Sequence, residues 1–210
     1  MKKFRPAIIL MICLCLCIGH TAYAAPVGDG VDAYAWDSAP MQISMPQPKQ
    51  LVGYIETEIG RAKTYYETNA AQANRNENMR LATVAINSVV VQPGEVFSYN
   101  RVVGPRTEER GFKIATVFQG KKKVPGLGGG ICQISSTLYM ATKQTNLKVV
   151  ERHEHSLPVT YCSRDDEATV SWGYLDYRFQ NNFDIPIRIE ANMGSGVCNI
   201  AIWAMTPVYE

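Results

Sequence analysis

The chain of 210 residues has room for one ordinary domain with appendages. Its 21 lysine and arginine residues against 19 aspartate and glutamate residues leave a formal net charge of +2 at pH 7. This near balance excludes a bulk electrostatic case for nucleic acid, so no nucleic-acid partner is expected. The sequence also has no phosphate loop and no dinucleotide fingerprint, so no cofactor is expected.

Residues 1–24 have the three parts of a secretory signal. A basic start, MKKFR, precedes an apolar core at residues 7–18, and AYA at residues 22–24 fits the small-x-small cleavage pattern. Because the core is short for a membrane span, we expect export to the periplasm or cell wall and cleavage after Ala24. The alternative is an uncleaved anchor, which would be the protein's only membrane contact.

After cleavage the chain would keep Cys132, Cys162 and Cys198. An odd number of cysteines in an exported protein leaves at least one thiol unpaired or bonded to another molecule. Cys162 and Cys198 both lie in strand-like segments, so they could pair in an oxidising compartment and leave Cys132 free. The alternative is three reduced structural thiols.

Residues 25–50 predict a flexible tether, because their prolines interrupt any regular element, and residues 51–210 predict the folded domain. Its first part is predicted from apolar periodicity and turn residues. The elements are a strand-like start at 51–66, a polar loop at 69–76, a helix at 77–89 and a turn at 93–94. They continue with a strand at 95–100, a polar loop carrying Arg106 at 102–111, a strand at 112–119 and a solvated lysine turn at 121–123.

The stretch GLGGGICQISSTLY follows. Gly128, Gly129 and Gly130 allow positive φ and close approach of another chain, and apolar spacing over residues 133–146 predicts a helix that starts beside Cys132. Free N–H groups at a helix N-terminus stabilise a thiolate and could receive an oxyanion. The pattern therefore suits a cysteine nucleophile, and equally a buried structural cysteine.

The remainder predicts short strands rich in β-branched and aromatic residues. They lie at residues 147–152, 157–162, 168–172, 174–180, 185–191 and 197–205. Strands this short and close favour antiparallel pairing. The expected fold is α+β: a mostly antiparallel sheet, closed into a barrel or forming a sandwich, with two packed helices, the second starting at the Cys132 loop.

Outside the signal the only histidines are His153 and His155, in ERHEHS. On an extended strand both would point to one face. Beside a cysteine, such a pair indicates a thiolate–imidazole couple, in which histidine takes the thiol proton and later protonates the leaving amine. A zinc site with Cys132, His153 and His155 as ligands is one alternative, and a structural histidine pair is another.

Charged side chains could complete such a site. A carboxylate that accepts from one imidazole nitrogen fixes the tautomer, and the candidates are Glu151, Asp165, Asp166 and Asp176. Guanidinium groups bind carboxylates bidentately, so Arg106, Arg152 and Arg164 are either substrate clamps or ordinary surface arginines.

The sequence resembles the VanW family in four motifs that occur in the family's order. They are PGEVFSYN at residues 93–100, VGPRTEERGF at 103–112, GGGICQISSTLY at 128–139 and ERHEHSLPVTY at 151–161, and DYRFQNN at 176–182 is similar to the family's closing motif. The resemblance covers the chain from about residue 51 to its end. Four motifs in order are far more specific than any one of them.

The family takes its name from vancomycin-resistance gene clusters, and its members are associated with L,D-transpeptidation of peptidoglycan by a cysteine. The resemblance implies that Cys132 attacks the carbonyl between an L-centre and a D-residue of a stem peptide and forms a thioester. The amine of a neighbouring stem would then resolve it as a transpeptidase, or water would resolve it as a carboxypeptidase. A non-catalytic peptidoglycan or glycopeptide binder and a zinc-dependent stem-peptide hydrolase are the alternatives.

The resemblance also assigns roles within the motifs. It implies His155 as base with His153 in support, and an oxyanion site formed by Gly128, Gly129, Gly130 and the N–H groups of Cys132 and Gln133. The expected substrate contacts are Arg106, Arg152, Ser135, Ser136 and Tyr139, and the expected orienting carboxylates are Asp176 and Glu167. The family carries an aspartate where this chain has Glu167, so the longer side chain puts that assignment in question. Neither a metal nor an oligomeric state is implied.

Overall fold

The computed structural model describes residues 48–210. The predicted signal and residues 25–47 of the predicted tether lie outside the described residues. The strands are β1 Leu51–Tyr65, β2 Val90–Val91, β3 Val96–Ser98, β4 Ile114–Gln119, β5 Lys122–Leu127, β6 Lys148–Glu151, β7 Arg178–Gln180, β8 Ile187–Gly194 and β9 Val197–Tyr209. The helices are α1 Ala73–Ile86, α2 Tyr99–Val103 and α3 Ile131–Thr142, with 3₁₀ turns at Ala70–Gln72 and Arg164–Asp166.

All strand pairs are antiparallel. One sheet has the order β1-β9-β8-β2, a second has the order β3-β7-β6, and β4 and β5 form a separate hairpin. The predicted α+β class with mostly antiparallel pairing is therefore confirmed. The barrel alternative is wrong, because β1 and β2 remain open edges of the largest sheet.

The core lies between the largest sheet and two helices. Helix α3 packs against β1 and β9, and α1 packs against β8 and α3. Alternate residues of the central strands face this layer, as the period of two requires. The buried side chains are Ile187, Ile189 and Ala191 in β8, Cys198, Ile200 and Ile202 in β9, Met79, Ala82 and Ile86 in α1, and Ile134, Leu138 and Ala141 in α3.

Several predicted boundaries were wrong. Helix α1 begins at Ala73 and occupies half of the predicted loop at residues 69–76, because the Asn69 side chain accepts from Gln72 N–H and starts a turn that leads into the helix. Helix α2 was not predicted, so the described chain has three helices rather than two. The turn at the lysines is shorter than predicted, since β5 begins at Lys122, but all three lysines of residues 121–123 are exposed, as predicted for a solvated turn.

The predicted strands at residues 157–162 and 168–172 are absent, and only Arg178–Gln180 of the predicted strand at 174–180 forms. The reason is visible at Ala168, whose N–H donates to Ser136 Oγ and whose C=O accepts from Ser135 Oγ. Side chains of α3 thus take the backbone hydrogen bonds that a neighbouring strand would have taken.

Within residues 48–210, no helix is long and apolar enough to cross a membrane.

The glycine-rich stretch packs so closely against β4 that adding one methyl group at Gly129 should destabilise the protein. A Cβ at Gly129 would collide with Thr116 O and come within 2.9 Å of Ala115 C, both of them backbone atoms of β4. We expect Gly129→Ala to lower the free energy of unfolding in urea by about 1–3 kcal/mol. The matched control is Gly53→Ala in β1, where a Cβ has no neighbour within 4 Å. Equal stability of the two variants would contradict this packing.

Candidate functional site

A cleft of about 1420 Å³ lies where the glycine-rich stretch meets α3. One wall is the β4–β5 hairpin, and the others are the segments 154–161 and 169–175. Cys132 and His155 both line this cleft, as do Gly128, Gly129, Gly130, Gln133 and Arg106. The structure therefore brings half of the fourteen predicted site residues to one cleft.

The glycines of the loop are required by its conformation and by its neighbours. Gly128 has φ 80° and Gly130, the N-cap of α3, has φ 107°, both in the left-handed region. A Cβ at Gly128 would come within 2.7 Å of Arg106 Cγ, and one at Gly130 within 2.7 Å of Arg75 Cγ. The absence of these side chains lets two arginines approach the start of α3.

Asn78 of α1 holds the glycine loop through side-chain hydrogen bonds. This buried amide donates from Nδ2 to Gly129 O at 2.9 Å and to Lys113 O at 3.0 Å, and its Oδ1 accepts from Lys113 N–H at 2.7 Å. One side chain of α1 therefore joins the glycine loop to Lys113, the residue directly before β4. The sequence carried no signal for this role, because the three partners are distant in the chain.

Cys132 is the second residue of α3 and is partly buried. Its thiol donates to Val170 O at 3.4 Å, and Val170 N–H donates to Sγ at 3.5 Å. Burial raises the thiol pKa above its ordinary value, although the Val170 hydrogen bond and the charges of Arg106 and Arg75 act in the opposite direction. Desolvation is the larger effect on this thiol, so burial opposes the thiolate that the helix N-terminus was expected to stabilise.

The predicted oxyanion donors differ in availability. Gln133 N–H donates to Gly130 O at 3.0 Å, so that group is already used. The Gln133 side chain is also committed, since Nε2 donates to Thr64 Oγ1 at 3.0 Å and Oε1 accepts from Arg75 Nη2 at 2.6 Å. Gln133 thus ties α3 to β1 and α1, and the Cys132 N–H remains the candidate oxyanion donor.

His155 is buried, with 5% of its surface exposed. Its Nε2 lies 3.2 Å from the Tyr161 hydroxyl, and its Nδ1 lies 3.2 Å from Glu167 Oε2 but outside hydrogen-bonding geometry. Glu167 is itself buried and accepts from the His155 backbone N–H at 2.6 Å. Burial lowers the His155 pKa below its ordinary value, even though the Glu167 carboxylate opposes this. The imidazole is therefore neutral at pH 7 and can accept a proton.

Tyr161 is a residue of this site that sequence reasoning missed. It lines the cleft, and its hydroxyl faces His155, whereas no hydrogen bond joins Cys132 to His155 within residues 48–210. Burial raises the Tyr161 pKa well above its ordinary value, and a negative charge on Cys132 would raise it further. A tyrosine that ends the same ERHEHSLPVTY motif was the available signal.

His153 does not line the cleft. Its Nε2 lies 2.9 Å from Glu151 Oε1, and the residues after Glu151 leave the strand, so the two histidines do not share a strand face as predicted. Asp176 also lies elsewhere: it accepts from Ser98 Oγ and from Asn100 N–H at the start of α2. Of the two proposed orienting carboxylates, the structure places only Glu167 beside a histidine.

Four of the five predicted substrate contacts lie outside the cleft lining. Ser135 and Ser136 are fully buried and are bonded to Ala168, so they position that segment. Tyr139 packs against Tyr177, and the Arg152 guanidinium carbon lies 5.2 Å from the Tyr139 ring centroid. Arg106 alone of this set reaches the cleft.

Neither the Cys162–Cys198 disulfide nor the predicted zinc site is formed among the described residues. Cys132, Cys162 and Cys198 are all free thiols, so the pairing of Cys162 with Cys198 is absent, and burial raises the pKa of each of these two thiols to about 11. Within residues 48–210, no three His, Cys, Asp or Glu side chains come together in a metal-binding group. The separation of His153 from the cleft removes one of the three predicted zinc ligands.

Comparison with known proteins gives a family match over most of the folded part. The family model described as "VanW like protein" matches residues 74–203. The uncharacterized protein YoaR of Bacillus subtilis is 36% identical over 195 residues, which cover 89% of this chain and 64% of YoaR. The vancomycin B-type resistance protein VanW of Enterococcus faecalis is 29% identical over 123 residues, which cover 56% of this chain and 45% of that protein. The chain thus spans less than two thirds of either relative, and no solved structure matches it.

The raised pKa of Cys132 can be measured by alkylation. Because only the thiolate reacts, the rate at which iodoacetamide modifies Cys132 should still be rising as the pH passes the ordinary value of about 9. Arg106→Gln removes a cation that favours the thiolate, so its profile should move to higher pH. Arg80→Gln, an exposed arginine paired with Glu77, is the control and should change nothing. Peptide mapping follows Cys132 separately, and a plateau below pH 8 would contradict the assignment.

Proposed function

The chain belongs to the VanW family, and from that premise we propose that it is an exported cell-wall enzyme, a cysteine-dependent L,D-transpeptidase or L,D-carboxypeptidase of peptidoglycan stem peptides. The observation that carries the proposal is the cleft shared by Cys132, Tyr161 and His155, with a neutral imidazole at its side. The secretory pattern of residues 1–24 supports an extracytoplasmic location. One relative's name, a vancomycin B-type resistance protein, supports a role at the cell wall.

The proposed nucleophile starts as a thiol. Because burial raises the Cys132 pKa, the thiol must lose its proton as it attacks the substrate carbonyl. His155 is the proposed base. Its Nε2 lies 3.2 Å from the Tyr161 hydroxyl, and both residues line the cleft that contains Cys132. In the proposed step the phenol oxygen takes the thiol proton while the phenol proton passes to His155. Glu167 lies beside the other imidazole nitrogen and stabilises the imidazolium that forms.

The remaining steps conserve this proton. The sulfur–carbon bond forms, the carbon–nitrogen bond to the D-residue breaks, and the leaving amine takes the proton that His155 received. The product is a thioester on Cys132. The amine of a second stem, or water, then attacks the thioester, gives up a proton to the same relay and releases the thiol. The Cys132 N–H, at the first turn of α3, is the proposed oxyanion donor.

A second candidate function is a non-catalytic binder of peptidoglycan or glycopeptide. The raised pKa of Cys132 and the lack of a direct Cys132–His155 hydrogen bond among the described residues favour it. The two candidates differ in one observable, a covalent bond between Cys132 and the stem peptide. The predicted zinc hydrolase has less support, since His153 contacts Glu151 and not the cleft.

The covalent step is tested by intact-protein mass spectrometry after incubation with a tetrapeptide stem. The expected adduct has the mass of the stem without its terminal D-residue, and Cys132→Ala should abolish it while binding continues. Cys162→Ser is the matched control and should form the adduct as the unmodified protein does. An adduct on Cys132→Ala would refute the proposed nucleophile, and peptide binding without any adduct would favour the binder.

The relay makes a separate prediction for Tyr161→Phe. This variant keeps the ring and removes the hydroxyl that faces His155, so thioester formation should slow by roughly 100-fold or more, in the range of general acid–base catalysis. Tyr54→Phe, in the exposed part of β1, is the control and should leave the rate unchanged. The measurement is single-turnover adduct formation, and a rate for Tyr161→Phe equal to that of the control would exclude the relay.

A further inference from the structure

Arg106 has two buried hydrogen-bond donors that nothing in the described residues satisfies. Its Nη1 donates to Gly104 O at 2.8 Å, whereas Nε and Nη2 are buried and have no partner. Buried donors in folded proteins are nearly always paired, and an unpaired pair in a cleft needs an explanation. A ligand with acceptor atoms is the explanation that fits a cleft residue.

The two unpaired donors define the chemistry of that ligand. Nε and Nη2 lie on the same edge of the planar guanidinium, so their N–H bonds run parallel and match the two oxygens of a carboxylate. The guanidinium also stays charged at any pH relevant here. A carboxylate would therefore satisfy both donors at once and neutralise a partly buried charge.

The rest of the structure holds Arg106 in position for this contact. Its stem lies against Gly128, and its guanidinium carbon is 5.9 Å from the ring centroid of Tyr99 and 5.8 Å from that of Trp172. Tyr99 in turn donates to Ile131 O, one residue before Cys132. The arginine is therefore fixed relative to the nucleophile, and its charge is near enough to lower the thiol pKa.

Arg75, the other arginine of the cleft, is different. Its Nη2 donates to Gln133 Oε1 at 2.6 Å, and its Nη1 donates to Met79 Sδ at 3.0 Å. It therefore holds the framework of the site together, whereas Arg106 is the cleft arginine with two unpaired donors on one edge.

We infer that the Nε–Nη2 edge of Arg106 binds the free α-carboxylate of the residue that leaves, and so selects peptides in which a single terminal residue follows the scissile bond. The inference rests on the proposed function for the identity of that bond. Arg106 and Cys132 line the same cleft, and the Arg106 charge acts on the Cys132 thiol. A longer peptide would place an amide, with no charge, at the guanidinium.

The test measures binding in a Cys132→Ala background, so that no chemistry occurs. Titration calorimetry compares three tetrapeptide stems: the free acid, its terminal amide, and the free acid with its internal carboxylates amidated. The free acid should bind at least about tenfold more tightly than the terminal amide, because a charge-assisted bidentate contact is lost. Internal amidation should have little effect, which separates the terminal carboxylate from the other carboxylates of a stem.

Variants of Arg106 test whether this residue causes the preference for the free acid. Arg106→Gln should abolish the preference for the acid, Arg106→Lys should keep only part of it because the paired edge is lost, and Arg80→Gln should keep it all. Equal affinity for acid and amide, loss of binding only on internal amidation, or a preference that survives in folded Arg106→Gln would each overturn the inference. If Arg106→Gln does not fold, the comparison of acid with amide on the Arg106 protein decides.

The outcomes also separate this inference from the proposed function. If the protein with Cys132 prefers the acid but forms no thioester, the carboxylate site is supported and the proposed enzymatic function is refuted. If a thioester forms equally from the acid and from the terminal amide, the proposed enzymatic function is supported and the carboxylate site is refuted.

Discussion

The contact between the first turns of α3 and residues 167–170 determines the geometry of the cleft. Ser135 and Ser136 bond the C=O and N–H of Ala168, and Cys132 exchanges hydrogen bonds with Val170 two residues later. The same segment carries Glu167, which reaches back to His155. Because these groups are buried, breaking one bond would leave polar atoms unpaired. One short extended segment thus sets the positions of the thiol and of the carboxylate beside the imidazole.

Burial shifts the pKa values of Cys132 and His155 in opposite directions, and both shifts favour the uncharged form. It keeps Cys132 protonated and His155 unprotonated, so the resting site holds a thiol and a neutral imidazole rather than an ion pair. Arg75 and Arg106 partly offset the desolvation of the thiol. In the proposed reaction the thiol loses its proton during the attack, and the Tyr161 hydroxyl, which faces His155 in the same cleft, is the proposed carrier.

Much of the framework could be predicted because it follows from local periodicity. The alternation in β8 and β9 and the apolar spacing in α3 correspond to buried faces. Where side chains from distant elements replaced strand partners, as at residues 168–172, the prediction of a strand failed. The helical start of α1 was missed because its polar residues gave no apolar period, although Asn69 was available as a turn-starting residue.

By itself the sequence determined the α+β class, the loop of three glycines before a helix, and the cysteine beside that helix start, because each depends on residue types close together in the chain. Only the tertiary structure decided which residues meet around that cysteine. It separated His153 from His155, removed Asp176 from the site and brought in Tyr161 and Arg75. It also decided the direction of the thiol pKa, since burial is a property of the whole packed domain and outweighs the local helix terminus.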